Sequence, residues 1–423
     1  MDNSLSPSGH TFQDLGVDEV LLRVLLARGI SVPTPIQRQA IPIALEGKDV
    51  VGIAQTGTGK TLAFGIPLLQ KLSKGGRALI VLPTRELATQ VEEALLPLAQ
   101  VLNIRTAVFI GGASMYKQRE MLRRNPRILI ATPGRLNDHL EQGTVTLKEV
   151  VVLVLDEADR MLDMGFKPQI ERILRHVPRE RQTMLFSATM PQQILQLANH
   201  HMRSPLRIEV APTGTTAAKV EQELVIVRRE EKMPLLTTIL TENQGSVLIF
   251  SRTKYGAKKI TRSVQDMGHR AAEIHSNRSL AQRREALEGF KSGRYRVLVA
   301  TDIASRGIDV SNIAIVINYD LPDDPADYVH RIGRTARAGK EGRAISFATP
   351  EQMGNIRDIE RLIRSPIRRR TSPRPLTNPT LPIHRQETPN HSTPPSTPAH
   401  HPDNRRQFRR SYGGRGRRSG GGR

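Results

Sequence analysis

The sequence predicts an α/β protein with two parallel-sheet domains in tandem, followed by a disordered basic tail. Three observations support this prediction. Short apolar runs alternate with helical segments, a turn-rich stretch at residues 211–219 divides the alternation into two series, and Arg, Pro and Gly dominate residues 364–423. Alternating strands and helices are typical of parallel sheets that carry helices on both faces.

The first predicted domain spans residues 12–210, after a flexible N-terminus at residues 1–11. Its apolar runs are too short for helices and lack polar alternation, which is typical of strands buried on both faces. We predict strands at residues 50–54, 78–82, 127–131, 151–155 and 183–187.

The second predicted domain spans residues 220–363, after a linker at residues 211–219. Its predicted strands occupy residues 246–251, 296–300, 313–318 and 342–348. In open sheets of this kind, ligands bind outside the carboxyl ends of the strands. The polar motifs of both series follow predicted strands, which indicates that they form binding sites.

The predicted tail, residues 364–423, has an extreme composition. It contains 14 Arg, no Lys, one Glu and one Asp, a net charge of +12, and 10 of the 28 prolines. Residues 1–363 therefore carry 22 − 12 = +10. Such a segment buries too little apolar surface to fold alone, so we expect it to be disordered.

The overall charge indicates a polyanionic partner. The net charge is +22 and the sequence pI is about 10.9, and Lys and Arg displace counterions from phosphate backbones. The absence of cysteine excludes disulfides and thiolate metal sites and is consistent with a cytoplasmic location. We find no secretory signal and no membrane span, so we expect no membrane partner.

The strongest local motif is AQTGTGKT, which follows the first predicted strand and precedes a helical run. Gly57 and Gly59 allow backbone N–H groups to surround phosphates, Lys60 can reach the β- and γ-phosphates, and Thr61 can bind Mg²⁺. Ala54 replaces the first Gly of the general pattern. The alternative, a Gly-Lys-Thr turn that arises by chance, stays open for this motif alone.

The segment DEAD, residues 156–159, ends the apolar run at residues 150–155. Carboxylates at the end of a strand are placed to hold Mg²⁺ and to orient an attacking water. They could instead favour the N-terminus of the next helix through its dipole. The phosphate-loop pattern about a hundred residues upstream favours the metal site.

Two further motifs follow predicted strands. Ser187-Ala188-Thr189 ends one strand of the first series, although Thr189 also fits a helix capping box. In the second series, HRIGRTARAG carries Arg331, Arg334 and Arg337 at spacings of three, which predicts one helix face. Such arginines could reach the γ-phosphate as arginine fingers if the two domains close on each other.

Taken in order, these motifs resemble those of a DEAD-box RNA helicase. Phe12, Gly29 and PTPIQ (33–37) resemble the family's Q motif, and AQTGTGKT, PTREL, Gly111-Gly112, TPGRL, DEAD and SAT follow. LIFSRT, ATDIASRGIDV and HRIGRTARAG complete the series to about residue 350. The resemblance is greatest to bacterial RhlE-type members. It implies two RecA-like domains that bind ATP and Mg²⁺.

The resemblance also implies a role for each matched residue at the nucleotide. Gln37 would hydrogen-bond adenine and Phe12 would stack on it, although Pro35 and Gln37 also suit a helix start. Asp156 and Thr61 would hold the metal, and Glu157 would position the water. Arg334 and Arg337 would be the fingers, with Lys60 on the phosphates. The other nucleotide-site residues would be Ala54, Gln55, Thr56, Gly57, Thr58, Gly59, Gly307 and Asp309.

The resemblance implies a second set of residues along an RNA path. Ser187 and Thr189 would couple hydrolysis to RNA through Asp159 and His330. The RNA itself, single-stranded or partly duplex, would be touched at phosphates and 2′-hydroxyls. The RNA-path residues would be Pro83, Thr84, Arg85, Gly112, Thr132, Pro133, Gly134, Arg135, Arg252, Thr301 and Asp302.

Four positions depart from the family pattern. Ala336 and Ser276 occupy positions where Gly is usual, and Ile30 replaces an aromatic residue after Gly29. Leu280 replaces a Gln that normally supports contacts in the second domain, while Arg283 keeps its place. These departures put the role of position 280 in doubt, not the ATPase.

The predicted function is ATP-dependent unwinding or remodelling of RNA duplexes and of RNA–protein complexes. One alternative is a DNA translocase of the same superfamily, which would be expected to lack PTPIQ. A second alternative is an ATP-gated RNA clamp without hydrolysis, which predicts damage at Lys60, Glu157 or Arg334. None of these three positions is altered.

Overall fold

A computed structural model describes residues 11–54, 57–210, 220–302, 313–335 and 342–370. These residues form two parallel sheets, each with helices on both faces. Within the described residues, no helix is long and apolar enough to cross a membrane.

The first domain contains nine described helices and a seven-stranded sheet. The helices are α1 (Glu19–Ala27), α2 (Pro35–Leu45), α3 (Lys60–Ser73), α4 (Arg85–Val101), α5 (Met115–Arg123), α6 (Pro133–Glu141), α7 (Ala158–Asp163), α8 (Lys167–His176) and α9 (Gln192–His201). The strands are β1 (Val50–Ile53), β2 (Arg77–Val81), β3 (Thr106–Phe109), β4 (Ile128–Ala131), β5 (Val150–Leu155), β6 (Gln182–Ser187) and β7 (Leu206–Glu209).

The second domain contains five described α-helices and a second seven-stranded sheet. The helices are α10 (Lys232–Glu242), α11 (Lys254–Asp266), α12 (Leu280–Lys291), α13 (Pro325–Ile332) and α14 (Met353–Ile363), with 3₁₀ turns at Arg229–Glu231 and Pro350–Gln352. The strands are β8 (Val220–Ile226), β9 (Val247–Phe250), β10 (Ala271–Ile274), β11 (Val297–Ala300), β12 (Ile315–Asn318), β13 (Gly342–Ala348) and β14 (Arg368–Arg370).

The two sheets have the same topology. The first has strand order β3-β4-β2-β5-β6-β1-β7 and the second β10-β11-β9-β12-β13-β8-β14, which is the same order displaced by seven strands. Every strand pair is parallel. The predicted fold class, two RecA-like parallel-sheet domains in tandem, is confirmed. Equivalent strand ends of the two domains can therefore be compared directly.

Each sheet is buried on both faces. Successive side chains of a strand point to opposite sides of the sheet, and in the central strands the side chains on both sides are apolar and packed. In β5, Val152 and Val154 join one apolar cluster, whereas Leu153 and Leu155 join another. The second sheet is divided in the same way: Leu248 and Phe250 of β9 lie in one cluster, Val247 and Ile249 in the other. Burial on both faces therefore explains why these strands are continuous apolar runs without alternating polar residues.

Every predicted strand is present, but β3, β7, β8, β10 and β14 were not predicted. Four of these five are the edge strands of the two sheets: β3 and β7 in the first sheet, β10 and β14 in the second. In β7 only Ile208 is buried, and β14 consists of three arginines, none of them buried. The sequence signal for a buried strand is therefore weak in them.

The predicted domain boundary at residue 363 differs from the structure. Strand β14 pairs with β8 in register, Arg368 beside Glu223, and Ile367 is buried in the second domain's core. Strand β14 occupies the position in the second sheet that β7 occupies in the first. The second domain therefore extends through Arg370, and the rest of the predicted tail lies outside the described residues.

Candidate nucleotide and nucleic-acid sites

The phosphate-loop motif lies at the carboxyl end of β1, on the same edge of the sheet as the carboxyl ends of its neighbour β6 and of β5. Gly59 has φ +94° and precedes α3, which begins at Lys60. A Cβ at Gly59 would lie 2.5 Å from Nε2 of Gln37 and 2.8 Å from Oγ1 of Thr34. Both the backbone conformation and the space require Gly, since L side chains rarely adopt positive φ.

Lys60 is buried, and its ammonium has no hydrogen-bond partner. Its Nζ lies 3.7 Å from Oδ1 of Asp156, the first residue after β5. Burying an ammonium that makes no hydrogen bond is costly, even with a carboxylate nearby. An ammonium with free donors at the N-terminus of a helix is suited to binding phosphate. The residues present therefore fit the phosphates of a nucleoside triphosphate.

The two carboxylates that follow β5 differ in acidity. Burial raises the pKa of Asp156 to about 6, with Glu157 and Asp159 adding to the rise and Lys60 opposing it. Burial would also raise the pKa of Glu157, but Arg160, Lys60 and Arg334 outweigh it and lower that pKa to about 2. Nearby cations thus keep Glu157 ionised.

Glu157 has a left-handed backbone, with φ +52°. Its Oε2 accepts a hydrogen bond of 2.7 Å from Nη1 of Arg160, and both side chains are buried. A non-Gly residue in this region is uncommon and often marks a functional site. Arg160 was not singled out in the sequence, because one arginine three residues after a glutamate is an ordinary helix pair.

The donor set at this edge suits Mg²⁺. Asp156 supplies a carboxylate beside the start of α3, where Thr61 supplies a hydroxyl. Among the described residues there is no cluster of three or more His, Cys, Asp or Glu that could hold a metal. Mg²⁺ is usually bound through one or two carboxylates together with substrate phosphates, so the residues fit it.

Asp159 connects the DEAD segment to the SAT segment. Its Oδ2 accepts hydrogen bonds from Oγ1 of Thr189 at 2.8 Å and from the backbone N–H groups of Ala188 and Thr189. Its own backbone N–H donates to Oγ of Ser187 at 3.3 Å. The structure therefore brings three of the four predicted coupling residues together.

The fourth predicted coupling residue, His330, lies in the second domain. Its Nδ1 is 3.8 Å from Oδ1 of Asp327, and among the described contacts no hydrogen bond joins it to Asp159. His330 and Arg334 line a very small cavity with Arg160 of the first domain. The two domains are thus in contact beside the DEAD segment.

Arg334 of the second domain acts electrostatically on the first domain. It is buried, and its charge contributes to the low pKa of Glu157. Its Nε donates to the backbone carbonyl of His330 at 3.3 Å. Lys60 of the phosphate loop on one domain and Arg334 of the other therefore both act on the Glu157 carboxylate.

The prediction of one helix face for Arg331, Arg334 and Arg337 was wrong for Arg331 and Arg334. Helix α13 ends at Ile332, before Arg334. Arg331 is fully buried and holds Asp302 with two hydrogen bonds of 2.6 Å, one to each carboxylate oxygen. Arg331 therefore stabilises the second domain, and Asp302, predicted on the RNA path, is engaged by it.

The predicted adenine-reading residues lie beside the phosphate loop. Gln37 is buried at the start of α2; its Nε2 donates to the carbonyl of Gly59 at 2.9 Å, and its Oε1 accepts from the N–H of Thr34 at 2.8 Å. Pro35 is the first residue of α2. Phe12 is buried within the first domain's apolar cluster, so its ring is not an exposed stacking surface in this structure.

The predicted RNA-path residues of the first domain lie at the ends of neighbouring strands. Pro83, Thr84 and Arg85 follow β2, Thr132 to Arg135 follow β4, and Gly112 follows β3. The guanidinium of Arg85 packs directly against Gly112, and Nη1 of Arg135 donates to the carbonyl of Ala113 at 2.9 Å.

The second domain repeats this arrangement. Arg252 follows β9 and Thr301 follows β11, the strands equivalent to β2 and β4. Helices α4, α6 and α11 begin at these same strand ends, with Thr84, Thr132 and Thr253 at their N-caps. Helix N-termini favour phosphate, so the edge suits a nucleic-acid backbone in both domains. Thr253 was not among the predicted RNA-path residues, because in the sequence it is only the last residue of LIFSRT and its position at a helix N-cap was not predicted.

Leu280, one of the departures, has a clear environment. It packs against the first domain's apolar cluster, next to an ion pair of 2.9 Å between Nη2 of Arg283 and Oε2 of Glu86. Both partners of this pair are buried. Position 280 therefore supports contact between the domains.

Some predicted site residues lie outside the described residues. They are Gln55, Thr56, Gly307, Asp309 and Arg337.

Two family models match this chain. The DEAD/DEAH box helicase model matches residues 34–197, and the helicase conserved C-terminal domain model matches residues 231–339. "ATP-dependent RNA helicase CshA" of Listeria monocytogenes is 46% identical over 353 residues, which cover 82% of this chain and 68% of that protein. This chain belongs to the DEAD-box ATP-dependent RNA helicases.

Other relatives of this helicase are similar over the same region. "ATP-dependent RNA helicase DbpA" of Bacillus subtilis is 45% identical over 356 residues, 83% of this chain and 74% of that protein. The structure of S. cerevisiae Dbp5 bound to RNA and ADP BeF3 has a TM-score of 0.77 at 29% identity, covering 86% of this chain and 96% of the other. That of Mss116p bound to ssRNA and AMP-PNP has a TM-score of 0.79 at 29% identity, covering 88% and 80%.

Proposed function

We propose that this DEAD-box helicase couples ATP binding and hydrolysis to local unwinding of RNA through closure of its two domains. One observation carries the proposal: the buried Arg334 of the second domain lines a small cavity with Arg160, which hydrogen-bonds Glu157 of the first domain, and the charge of Arg334 lowers the pKa of Glu157. Hydrolysis then depends on the domain arrangement, because no single domain contains both groups.

In the proposed reaction, Lys60 and the N-terminus of α3 bind the β- and γ-phosphates. Asp156 and Thr61 would hold Mg²⁺, whose positive charge would favour the charged phosphates. Glu157, ionised by its neighbouring cations, orients the attacking water, and Arg334 stabilises the transferred phosphoryl group. Asp159 transmits the state of this site to Ser187 and Thr189.

RNA is proposed to lie across the carboxyl ends of β2, β4, β9 and β11. Contacts from helix N-termini and from Arg85, Arg135 and Arg252 would reach the phosphates, so sequence would not be read. A strand bound to both domains must follow the shape of the closed protein. Duplex RNA that cannot adopt this shape would lose pairs locally.

The primary test is the steady-state ATPase rate of the full chain with single-stranded RNA, with DNA of the same sequence, and without nucleic acid. We expect stimulation by RNA and little by DNA. Equal stimulation by DNA would favour the superfamily translocase, and nucleotide-dependent RNA binding without turnover would favour the ATP-gated clamp.

Gln37→Ala should remove most of a preference for ATP over GTP. An unpaired polar contact typically costs about 1–3 kcal/mol, or roughly 5- to 150-fold. Because Gln37 also hydrogen-bonds Gly59, the substitution should loosen the phosphate loop for both nucleotides. The measurement is therefore the ratio of ATP to GTP affinities, in which that shared effect cancels. A parent protein that binds GTP as well as ATP would contradict adenine reading by Gln37.

Removal of the basic tail should weaken RNA binding and its salt dependence without changing turnover at saturating RNA. The truncation belongs after Arg370, since a cut at 363 would delete β14 and the buried Ile367. Of the 14 arginines, 14 − 4 = 10 lie beyond Arg370. If about five engage phosphates, the slope of log K against log salt should flatten by roughly 0.7 × 5 ≈ 3.5. Equal slopes for residues 1–370 and the full chain would mean that the tail does not touch RNA.

Three finer assignments are also proposals. Relatives named CshA and DbpA are similar over most of the chain, whereas membership of the RhlE-type group rests on the motifs alone. Ribonucleoprotein complexes as substrates follow from the family resemblance. A cytoplasmic location is consistent with the absence of cysteine.

A further inference from the structure

A cavity of about 360 Å³ lies at the amino-terminal edge of the first sheet, opposite the nucleotide site. Its lining comes from the segments that precede three neighbouring strands: Gly47 to Asp49 before β1, Arg181 before β6, and Arg203 and Ser204 before β7. Strand β1 has 4 residues, so the two edges are separated by about 13 Å along it. The cavity is therefore distinct from the site that holds Lys60.

The charge of this cavity is positive. Three cations, Lys48, Arg181 and Arg203, line it with one carboxylate, that of Asp49. That carboxylate is already used within the protein: Oδ1 accepts from the backbone N–H of Thr183 at 2.6 Å, and Oδ2 from that of Arg203 at 2.7 Å. Asp49 is buried and holds the three strand starts together, so it is a structural anion.

The cations are oriented by backbone groups more than by acids. Nη1 of Arg181 donates to the carbonyl of Pro178 at 2.6 Å and Nη2 to that of His201 at 3.2 Å, while its buried Nε has no partner. Arg203 donates to the carbonyl of Arg179. Lys48 pairs only with the exposed Glu46 among the described ion pairs. Burial and the neighbouring Arg203 lower the pKa of Arg181, whereas Asp49 raises it. The pKa is lowered overall, so the Asp49 carboxylate only partly offsets the loss of solvation.

We propose that this cavity binds a phosphate group, either from RNA outside the principal path or from a small phosphorylated molecule. Its volume falls in the range of small-ligand sites, roughly 300–1,000 Å³. Planar guanidinium groups and an ammonium around an open cavity are the side chains that recognise phosphate. An RNA segment bound here would be held on the side of the first domain away from the closing cleft.

The test uses the full-length double variant Lys48→Gln/Arg203→Gln, which removes two charges but keeps Asp49 and Arg181. The matched control is Arg23→Gln/Arg172→Gln, which removes two exposed arginines elsewhere on the same domain. RNA affinity is measured across a salt series with a strand of about 10 nucleotides, enough for the principal path, and with one several times longer. Equilibrium dialysis with inorganic phosphate is performed with an ATP analogue filling the nucleotide site.

We expect the double variant to bind the long RNA about tenfold more weakly at low salt, with a slope smaller by roughly 0.7 × 2 = 1.4. The short RNA and the control variant should show no change. If RNA affinities are unchanged but the parent retains one more inorganic phosphate than the variant, the ligand is a small phosphorylated molecule and the site stands. No difference in either measurement, or equal losses for short and long RNA, would overturn the proposal. RNA-stimulated ATPase of the parent, measured in the same samples, tests the proposed function independently.

Discussion

Glu157→Gln should lower the rate of ATP hydrolysis by about 10²- to 10⁴-fold while leaving ATP and RNA binding nearly intact, the range expected when a group that handles the nucleophile's proton is lost. The substitution is isosteric, and the amide oxygen can still accept the hydrogen bond from Arg160. The carboxylate that is lost has a pKa of about 2, so it is ionised at neutral pH in the parent. Single-turnover hydrolysis and RNA retention with ATP are the measurements. The variant should accumulate as a closed complex with RNA.

Two other variants separate this effect from general damage. Lys60→Ala should weaken ATP binding itself, because it removes the buried ammonium at the phosphate loop. Glu149→Gln removes an exposed glutamate on the same domain and should behave like the parent. If Glu157→Gln hydrolysed ATP at the parent rate, the water-positioning role of Glu157 would be wrong.

The first domain alone, residues 1–210, should bind ATP but hydrolyse it about 10³- to 10⁵-fold more slowly than the full chain with RNA, the range attributed to an arginine finger. It contains the phosphate loop and both of its own apolar layers, so we expect it to fold. It lacks Arg334. Arg334→Ala in the full chain should cause a defect of similar size, measured as RNA-stimulated turnover at saturating ATP.

The controls distinguish loss of the finger from loss of fold. Arg361→Ala removes an exposed arginine of the second domain and should leave turnover unchanged. Circular dichroism and nucleotide binding of the isolated domain verify that it is folded. Full RNA-stimulated turnover by residues 1–210 would refute the two-domain mechanism, whatever the result with Arg334→Ala.

The extent of agreement between sequence and structure depends on how local each signal is. The phosphate loop was readable because Gly59, Lys60 and Thr61 are consecutive and the chemistry needs them so. The role of Arg331 was not, because its partners Asp302 and Asn318 come from separate segments of the chain. Spacing alone placed Arg331 and Arg334 on one helix face, whereas the helix ends between them.

Position 280 also depends on a contact between distant segments of the chain, which the sequence alone does not reveal. The sequence identifies Leu280 as a departure from the family pattern, but an apolar residue near a helix start has no evident partner within its own domain. Only the folded chain brings it to the first domain's apolar cluster, beside the buried pair of Arg283 and Glu86. The strand β14 was missed for a related reason, since three consecutive arginines form a strand only where β8 offers an edge.

By itself, the sequence determined the fold class, the positions of the buried strands along the chain and the identity of the residues at the phosphate loop. These follow from local apolar runs, which must be buried, and from glycines and charges at fixed spacing. The tertiary structure alone decided which groups act on each other across the chain: the charge of Arg334 on Glu157, Leu280 on the first domain's apolar cluster, and three strand starts around one basic cavity. Parallel sheets join segments far apart in sequence, so contacts between their ends leave no local pattern to read.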